Sequence, residues 1–286
     1  MDTFGSLSFE LISRFTLGFE AFLILFIAFM TKALITHRSY HAQKSMLTES
    51  DNVASAIDLC AYLFAVLVSI LDSLAIEGDS LLAQGSEVAY IGLAVIVILE
   101  MCQQLSDRLL LRGLNVKELI HTEGNLALAL SRGGIVISIS MMIRGVMSNP
   151  QPWIELIPWI AIGIFCIFLL GLFFQWLTPY DDLLQVKQGN MAAALPLSGA
   201  WIASGITVES AISGESVDFM SEILSVGLYL VCACVVISVV RLLLRQLFFR
   251  GVDLNKEITD DQNCGVGLIE ATLYLCVAEV ICFFLS

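Results

Sequence analysis

Eight ionisable residues lie inside stretches of sequence that are otherwise apolar: Glu20, Asp58, Asp72, Glu100, Arg132, Glu209, Glu270 and Glu279. In a bilayer such a residue costs about 2.5–3.5 kcal/mol near mid-span on insertion scales, so it is turned inward, paired, or used on an ion or proton path. Asp58 and Asp72 are fourteen residues apart, which on one helix places them within about 40° of each other and roughly 20 Å apart along the axis. A line of carboxylates so placed can relay protons or cations, or the two can reach water at opposite membrane surfaces. Glu100 stands nearer the middle of its apolar window, where escape to a surface is harder. Four asparagines, Asn52, Asn125, Asn190 and Asn263, each immediately precede an apolar stretch. Asparagine is a strong helix N-cap, accepting a backbone hydrogen bond that the first turn otherwise leaves unmade. The competing use of four such helix starts is to bind an anionic headgroup or a partner at one membrane face.

The elements that must position these residues are membrane spans. Of 286 residues 58% are hydrophobic and 14% charged, against roughly 45–50% and 25% in an average soluble domain, which excludes an ordinary soluble enzyme. Windows of spanning length occur at 15–36, 54–76, 88–106, 126–147, 154–178, 191–212, 222–242 and 264–285, each close to the ~20 residues that cross a hydrocarbon core. The first lacks the basic lead and small-residue cleavage site of a signal peptide and reads as a retained helix. Arg38, Lys44, Arg108, Arg112, Lys117, Lys187, Arg245, Arg250 and Lys256 fall in alternate loops, with Lys32 and Arg241 at adjacent span ends. The positive-inside rule therefore puts those loops in the cytoplasm and both termini outside. Outer loops carry Glu77, Asp79, Glu87, Glu215, Asp218 and Glu222, and the net charge of −13 argues against a nucleic-acid partner.

The chain repeats itself at an offset of 138 residues. LLLRGLNVKELIHTEGNLALAL at 109–130 overlays LFFRGVDLNKEITDDQNCGVGL at 247–268, and DNVASAI at 51–57 overlays GNMAAAL at 189–195. With a one-residue slip Asp72 and Ser73 meet Glu209 and Ser210. Residues 1–149 and 150–286 are thus two repeats of four spans. An even number of spans gives both halves one orientation, so the expected fold is all-α, with two parallel four-helix repeats related by a pseudo-twofold axis along the membrane normal. Arg132 and Glu270 occupy matching positions, each seven residues after its asparagine. If those helices flank the axis, the two can pair, either to dock the halves or as part of an ion path.

The second half carries a resemblance. TPYDDLLQVKQGNMAAALPLSGAWIASGITVESAIS at 178–213, with Asn263 heading a last span, resembles the domain of unknown function 350 family of YjfL-like bacterial inner-membrane proteins. Its carriers are Thr178, Pro179, Tyr180 and Asp181, the Gly189, Asn190, Ala192 and Ala193 run, and Asn263. The repeat extends the resemblance to most of the chain, but Thr36, His37 and Arg38 stand in place of the Thr-Pro-Tyr element and AIDLCAY at 56–62 replaces ALPLSGA. A function that needs that element is then confined to one half. The resemblance implies a multi-pass protein of the bacterial inner membrane and single four-span relatives that pair. Its gene neighbourhoods associate it with envelope stress and polyamine-related genes.

Other chemistry finds little support. Eight cysteines lie in or beside spans, which argues against a disulfide framework, and Cys232 and Cys234 point to different sides of a helix. His37 and His41 have i,i+4 spacing and His121 lies in another loop, without an obvious fourth ligand. Pro158 and Pro196 fall inside expected helices, where Pro196 beside Ser198 and Gly199 could kink one half. No phosphate loop, nucleophile motif or zinc-protease helix is present, so neither an enzyme nor a cofactor is expected. The leading expectation is a small channel or transporter for cations or protons, its path near the repeat interface and its acidic groups drawn from Glu270, Glu100, Asp58 and Asp72. The alternative is a scaffold or signalling component that recruits a cytoplasmic, stress-related protein through the basic loops and asparagine-headed helices. The partners in view are the bilayer, further copies of the chain and that protein.

Overall fold

The computed structural model describes residues 2–36, 39–75, 80–148, 153–213 and 219–285. His37, Arg38 and the outer-loop residues Glu77, Asp79, Glu215 and Asp218 lie outside them. The chain is one three-part unit used four times: a long apolar helix, a short helix, and a second spanning helix headed by asparagine. The first unit is α1 (Asp2–Ile35), α2 (Tyr40–Thr48) and α3 (Val53–Ile70), and the second is α4 (Leu81–Leu109), α5 (Val116–His121) and α6 (Leu126–Met147). The third is α7 (Trp153–Leu177), α8 (Asp182–Lys187) and α9 (Met191–Ile212); the fourth is α10 (Phe219–Leu243), α11 (Leu254–Thr259) and α12 (Cys264–Leu285). A 3₁₀ turn at Asp72–Ala75 follows α3, and a π turn at Leu244–Phe248 continues α10. Among the described residues eight helices are long and apolar enough to cross a membrane, and they coincide with the eight windows of the sequence.

Local chemistry sets the joints between these parts. Ser39, Asn115, Asp181 and Asp253 cap the starts of the short helices α2, α5, α8 and α11. Each short helix then ends in one left-handed residue, Asp51, Gly124, Gly189 or Gln262, with φ of 46°, 70°, 82° and 48°. The asparagine follows at once, and its backbone N–H returns to a carbonyl of the short helix, on Met46, Leu119, Gln185 or Glu257. This is the hydrogen-bonded reversal that ends a helix and satisfies its last carbonyls. Here it also starts the next span.

The four asparagine-headed helices stand side by side in one row, α3, α6, α9, α12, and the long helices flank it. α1 packs on α3 and α4; α4 on α3 and α6; α7 on α6 and α9; α10 on α9 and α12. Close approach within the row depends on small residues, as in membrane bundles generally, because no hydrophobic force drives helices together in lipid. Gly134 faces Ser198, Gly205 faces Ser138, Gly133 faces Ala61, and Gly199 and Gly267 face the backbones of Ala271 and Ala192. A Cβ at Gly205 would come within 2.6 Å of the Ser138 Cα. Gly171 of α7 leaves room for the buried Trp201 ring of α9. Both α7 and α9 continue through Pro158 and Pro196.

The row corrects the expected pseudo-twofold axis. At the repeat offset α3 corresponds to α9 and α6 to α12, so a twofold that seats α6 on α9 must seat α12 on α3 equally closely. Instead α6 and α9 pack along their length in the middle, and α3 and α12 are the two ends of the row. The second repeat continues the row of the first, in a head-to-tail relation.

Candidate functional site

The buried charges gather towards the end of the bundle that carries the short helices. Arg132 lies two turns into α6, about 10 Å from its start. It is 8% exposed and holds two carboxylates. Nη1 donates to Asp58 Oδ1 of α3 at 2.5 Å, while Nε and Nη2 donate to the two oxygens of Asp107 of α4 at 2.9 and 2.7 Å. A guanidinium presents its donors in a fork that matches such a two-sided grip. Beside it Lys32, buried near the end of α1, donates to Gln103 of α4, stands 3.4 Å from Glu100 Oε1 and lies over the Tyr62 ring at 4.5 Å. Glu100 is 5% exposed, and the Tyr62 hydroxyl stands beside its carboxylate. A cavity of about 550 Å³ opens over this cluster, lined by Lys32, Thr36, Glu100, Asp107, Lys117, His121 and Arg132 among others. Next to it Ser55 Oγ and His121 Nδ1 are 2.8 Å apart.

The second repeat builds a smaller counterpart with exchanged charges. Arg241 of α10 stands at the place of Gln103, and Glu270 of α12 at the place of Arg132. Arg241 Nε is 3.7 Å from Glu270 Oε1, which accepts from the Tyr274 hydroxyl at 2.6 Å. A cavity of about 230 Å³ lies here, lined by Pro179, Arg241, Arg245, Asn255 and Glu270 among others. Close by, past the end of α7, the Thr178 hydroxyl contacts both Asp182 Oδ2 and, at 2.7 Å, the Gln175 carbonyl. Burial pushes the Asp182 carboxyl up to about 7, with Thr178 and Arg241 pulling the other way.

The expected meeting of Arg132 and Glu270 does not occur, because α6 and α12 lie on opposite sides of α9 and each residue has partners within its own repeat. Asp58, expected to reach water, is 2% exposed and locked to Arg132, so it does not form an open line with Asp72. Asp72 belongs to a cluster at the other end of the bundle, where Arg144 of α6 lies 3.2 Å from it and 3.4 Å from Glu209 of α9. Glu20, half-buried on α1, faces Gly85 of α4, and Glu279 is exposed on α12. In the seam between α6 and α9 glycine meets serine at Gly134–Ser198 and Gly205–Ser138, and Arg144 pairs with Glu209.

All four asparagines cap their helices. Asn52 and Asn125 accept from the N–H groups of Ser55 and Leu128, Asn190 from Ala192 and Ala193, and Asn263 from Gly265 and Val266. The amide nitrogens of three also reach the next unit. Asn52 donates to the Ile120 and His121 carbonyls at the end of α5, Asn125 to Val186 and Lys187 at the end of α8, and Asn190 to Ile258 of α11. These side chains are consumed in joining neighbours, which removes them as free amides for a headgroup. Sequence reasoning missed Gln103, Asp107 and Arg144 as cluster members and used Lys32 and Arg241 for orientation alone. Glu100, Gln103 and Asp107 recur at helical spacing, a polar stripe that could have marked α4.

Among the described residues a row of four helices flanked by four more of spanning length, with ion pairs buried between them, defines a multi-pass α-helical membrane protein built from internal repeats. The chain belongs to the family described as Domain of Unknown Function (DUF350), whose model matches it twice, over residues 7–147 and 148–285. It is similar to a "UPF0719 transmembrane protein" of Aquifex aeolicus (strain VF5), at 24% identity over 179 residues, 61% of this chain and 66% of that relative's length. No solved structure matches.

Proposed function

We propose that the protein passes a small cation or protons across a membrane, and that the ion-handling site is the buried cluster of the first repeat. The observation that carries this reading is a charge imbalance. In the buried part of the site Lys32 and Arg132 face Asp58, Glu100 and Asp107, two cations against three carboxylates, and the cavity it opens to carries the exposed Arg108 and Lys117 at its rim. Arg132 keeps its charge and is saturated by two aspartates, so the adjustable part is Glu100 with Lys32. A proton or a cation entering from the cavity restores neutrality, the condition under which a charge group is tolerated inside lipid. The path so proposed runs within the first repeat, past α1, α3, α4 and α6, and differs from the one expected between the repeats.

In this reading the basic loops and the cavity face the cytoplasm, both termini face outward, and the membrane is the bacterial inner one. No enzymatic step and no cofactor is assigned. The scaffold alternative keeps the basic loops but loses the free asparagine amides. The test is ion flux through liposomes carrying the purified protein under proton, potassium and sodium gradients. Glu100→Gln should abolish flux in a protein that melts like the wild type, whereas Glu270→Gln should leave it. Absence of flux under every gradient contradicts the reading.

A further inference from the structure

The series of asparagine clasps is unfinished at both ends of the row. Asn52, Asn125 and Asn190 each hold the C-terminal carbonyls of the next short helix, α5, α8 and α11. Among the described residues no short helix follows Asn263, and its amide turns back to Glu257 of α11. At the other end, α2 is a short helix of the same kind, its Leu47 five residues before Asn52 as Ile120 is before Asn125 and Ile258 before Asn263. The carbonyls of Leu47 and Thr48 at the end of α2 are the positions that a clasp would take.

The faces of the end helices repeat the same vacancy. Inside the molecule α6 seats on α9 through Gly134 against Ser198 and Ser138 against Gly205. At the 138-residue offset these positions are Thr272 and Cys276 on α12, and Cys60 and Leu67 on α3. Thr272, Cys276 and Cys60 are exposed and Leu67 is partly exposed. Thr272, Cys276 and Cys60 lie on stripes at four- and seven-residue spacing, Gly265, Thr272, Cys276 and Phe283 on α12, and Val53, Cys60 and Phe64 on α3 with Leu71 just past its end, all exposed. Such a stripe is one face of a helix, and a parallel neighbour can seat on it.

We propose that the protein assembles head to tail with further copies of itself, α12 of one copy seating on α3 of the next and Asn263 donating to the carbonyls at the end of that copy's α2. A second copy is the proposed occupant because the faces of α12 and α3 correspond to the two faces that meet between α6 and α9 inside the molecule. A contact of this type is heterologous, so it propagates to a ring or a row and does not stop at two copies.

Site-directed cross-linking of the full chain in its native membrane tests this. In a Cys276→Ser background, Thr272→Cys should bond under mild oxidation to the native Cys60 of the neighbouring copy. The expected result is a ladder of dimers, trimers and higher species that Cys60→Ser abolishes and Asn263→Ala reduces several-fold. Leu67→Cys with native Cys276 retained and Cys60→Ser added reads the same contact further along the helix, independently of the first pair. Products that stop at the dimer, products of the Thr272→Cys pair that survive Cys60→Ser, or no product with either pair in chains that melt like the wild type overturn the proposal.

Discussion

Arg132 holds two carboxylates at once, from α3 and α4, and each would be left without its cation if the guanidinium were removed. Breaking such a buried group from one side costs about 3–5 kcal/mol, because the charges left behind are uncompensated. Arg132→Met should therefore lower the melting temperature of the detergent-solubilised protein sharply, and Arg132→Lys should recover only part of it, since one ammonium lacks the fork that grips both aspartates. Asp182 offers a measurement in pH. Its folded carboxyl is raised to about 7 by burial, above its value in an unfolded chain of about 3.9. The folded state thus binds the proton more tightly, and the stability this confers is complete below the unfolded value and lost as pH rises through about 7. Stability followed from pH 4 to 8 should fall over that window in the wild type, and Asp182→Asn should flatten the fall. A parallel decline in both proteins would show that Asp182 is not the group responsible.

At the scale of elements, the asparagines do two jobs with two ends of one amide: the oxygen caps a span and the nitrogen binds the next unit. Loss of an N-cap costs about 1 kcal/mol, and each lost hydrogen bond about 0.5–1.5 kcal/mol more. Asn125→Ala removes the cap and two hydrogen bonds at the joint between repeats, so it should destabilise by about 2–4 kcal/mol on those figures. Asn263→Ala in the monomer, where the amide donates to the partly exposed Glu257, should cost little beyond the cap. Comparing the two melting temperatures checks the difference. The caps were legible in the sequence, because Asn before an apolar run has one dominant local meaning. The clasps were not, since a donor 61–69 residues from its acceptor leaves no local pattern. For the same reason the repeat was read at four spans, while its three-part subunit shows only in the recurring left-handed residue and the asparagine that follows it.

For the molecule as a whole, the spans and the two repeats were written in hydropathy and self-similarity, and the number of spanning helices followed from them. Their arrangement was not. An offset of 138 residues is equally consistent with a twofold axis and with a continued row, and Gly134, Ser138, Ser198 and Gly205 decide for the row by letting α6 lie directly on α9. That choice separates Arg132 from Glu270 and gives each repeat its own charge cluster, one built on an arginine of the row and one on a glutamate of the row. The proposed transport function then belongs to one cluster and not the other. The most direct measurement is ion flux in liposomes for the wild type, Glu100→Gln and Glu270→Gln, with the melting temperature of each protein taken from the same preparation. The account predicts flux in the wild type, its loss in Glu100→Gln at an unchanged melting temperature, and its retention in Glu270→Gln. Flux that survives Glu100→Gln, or none in the wild type under any gradient, would contradict it.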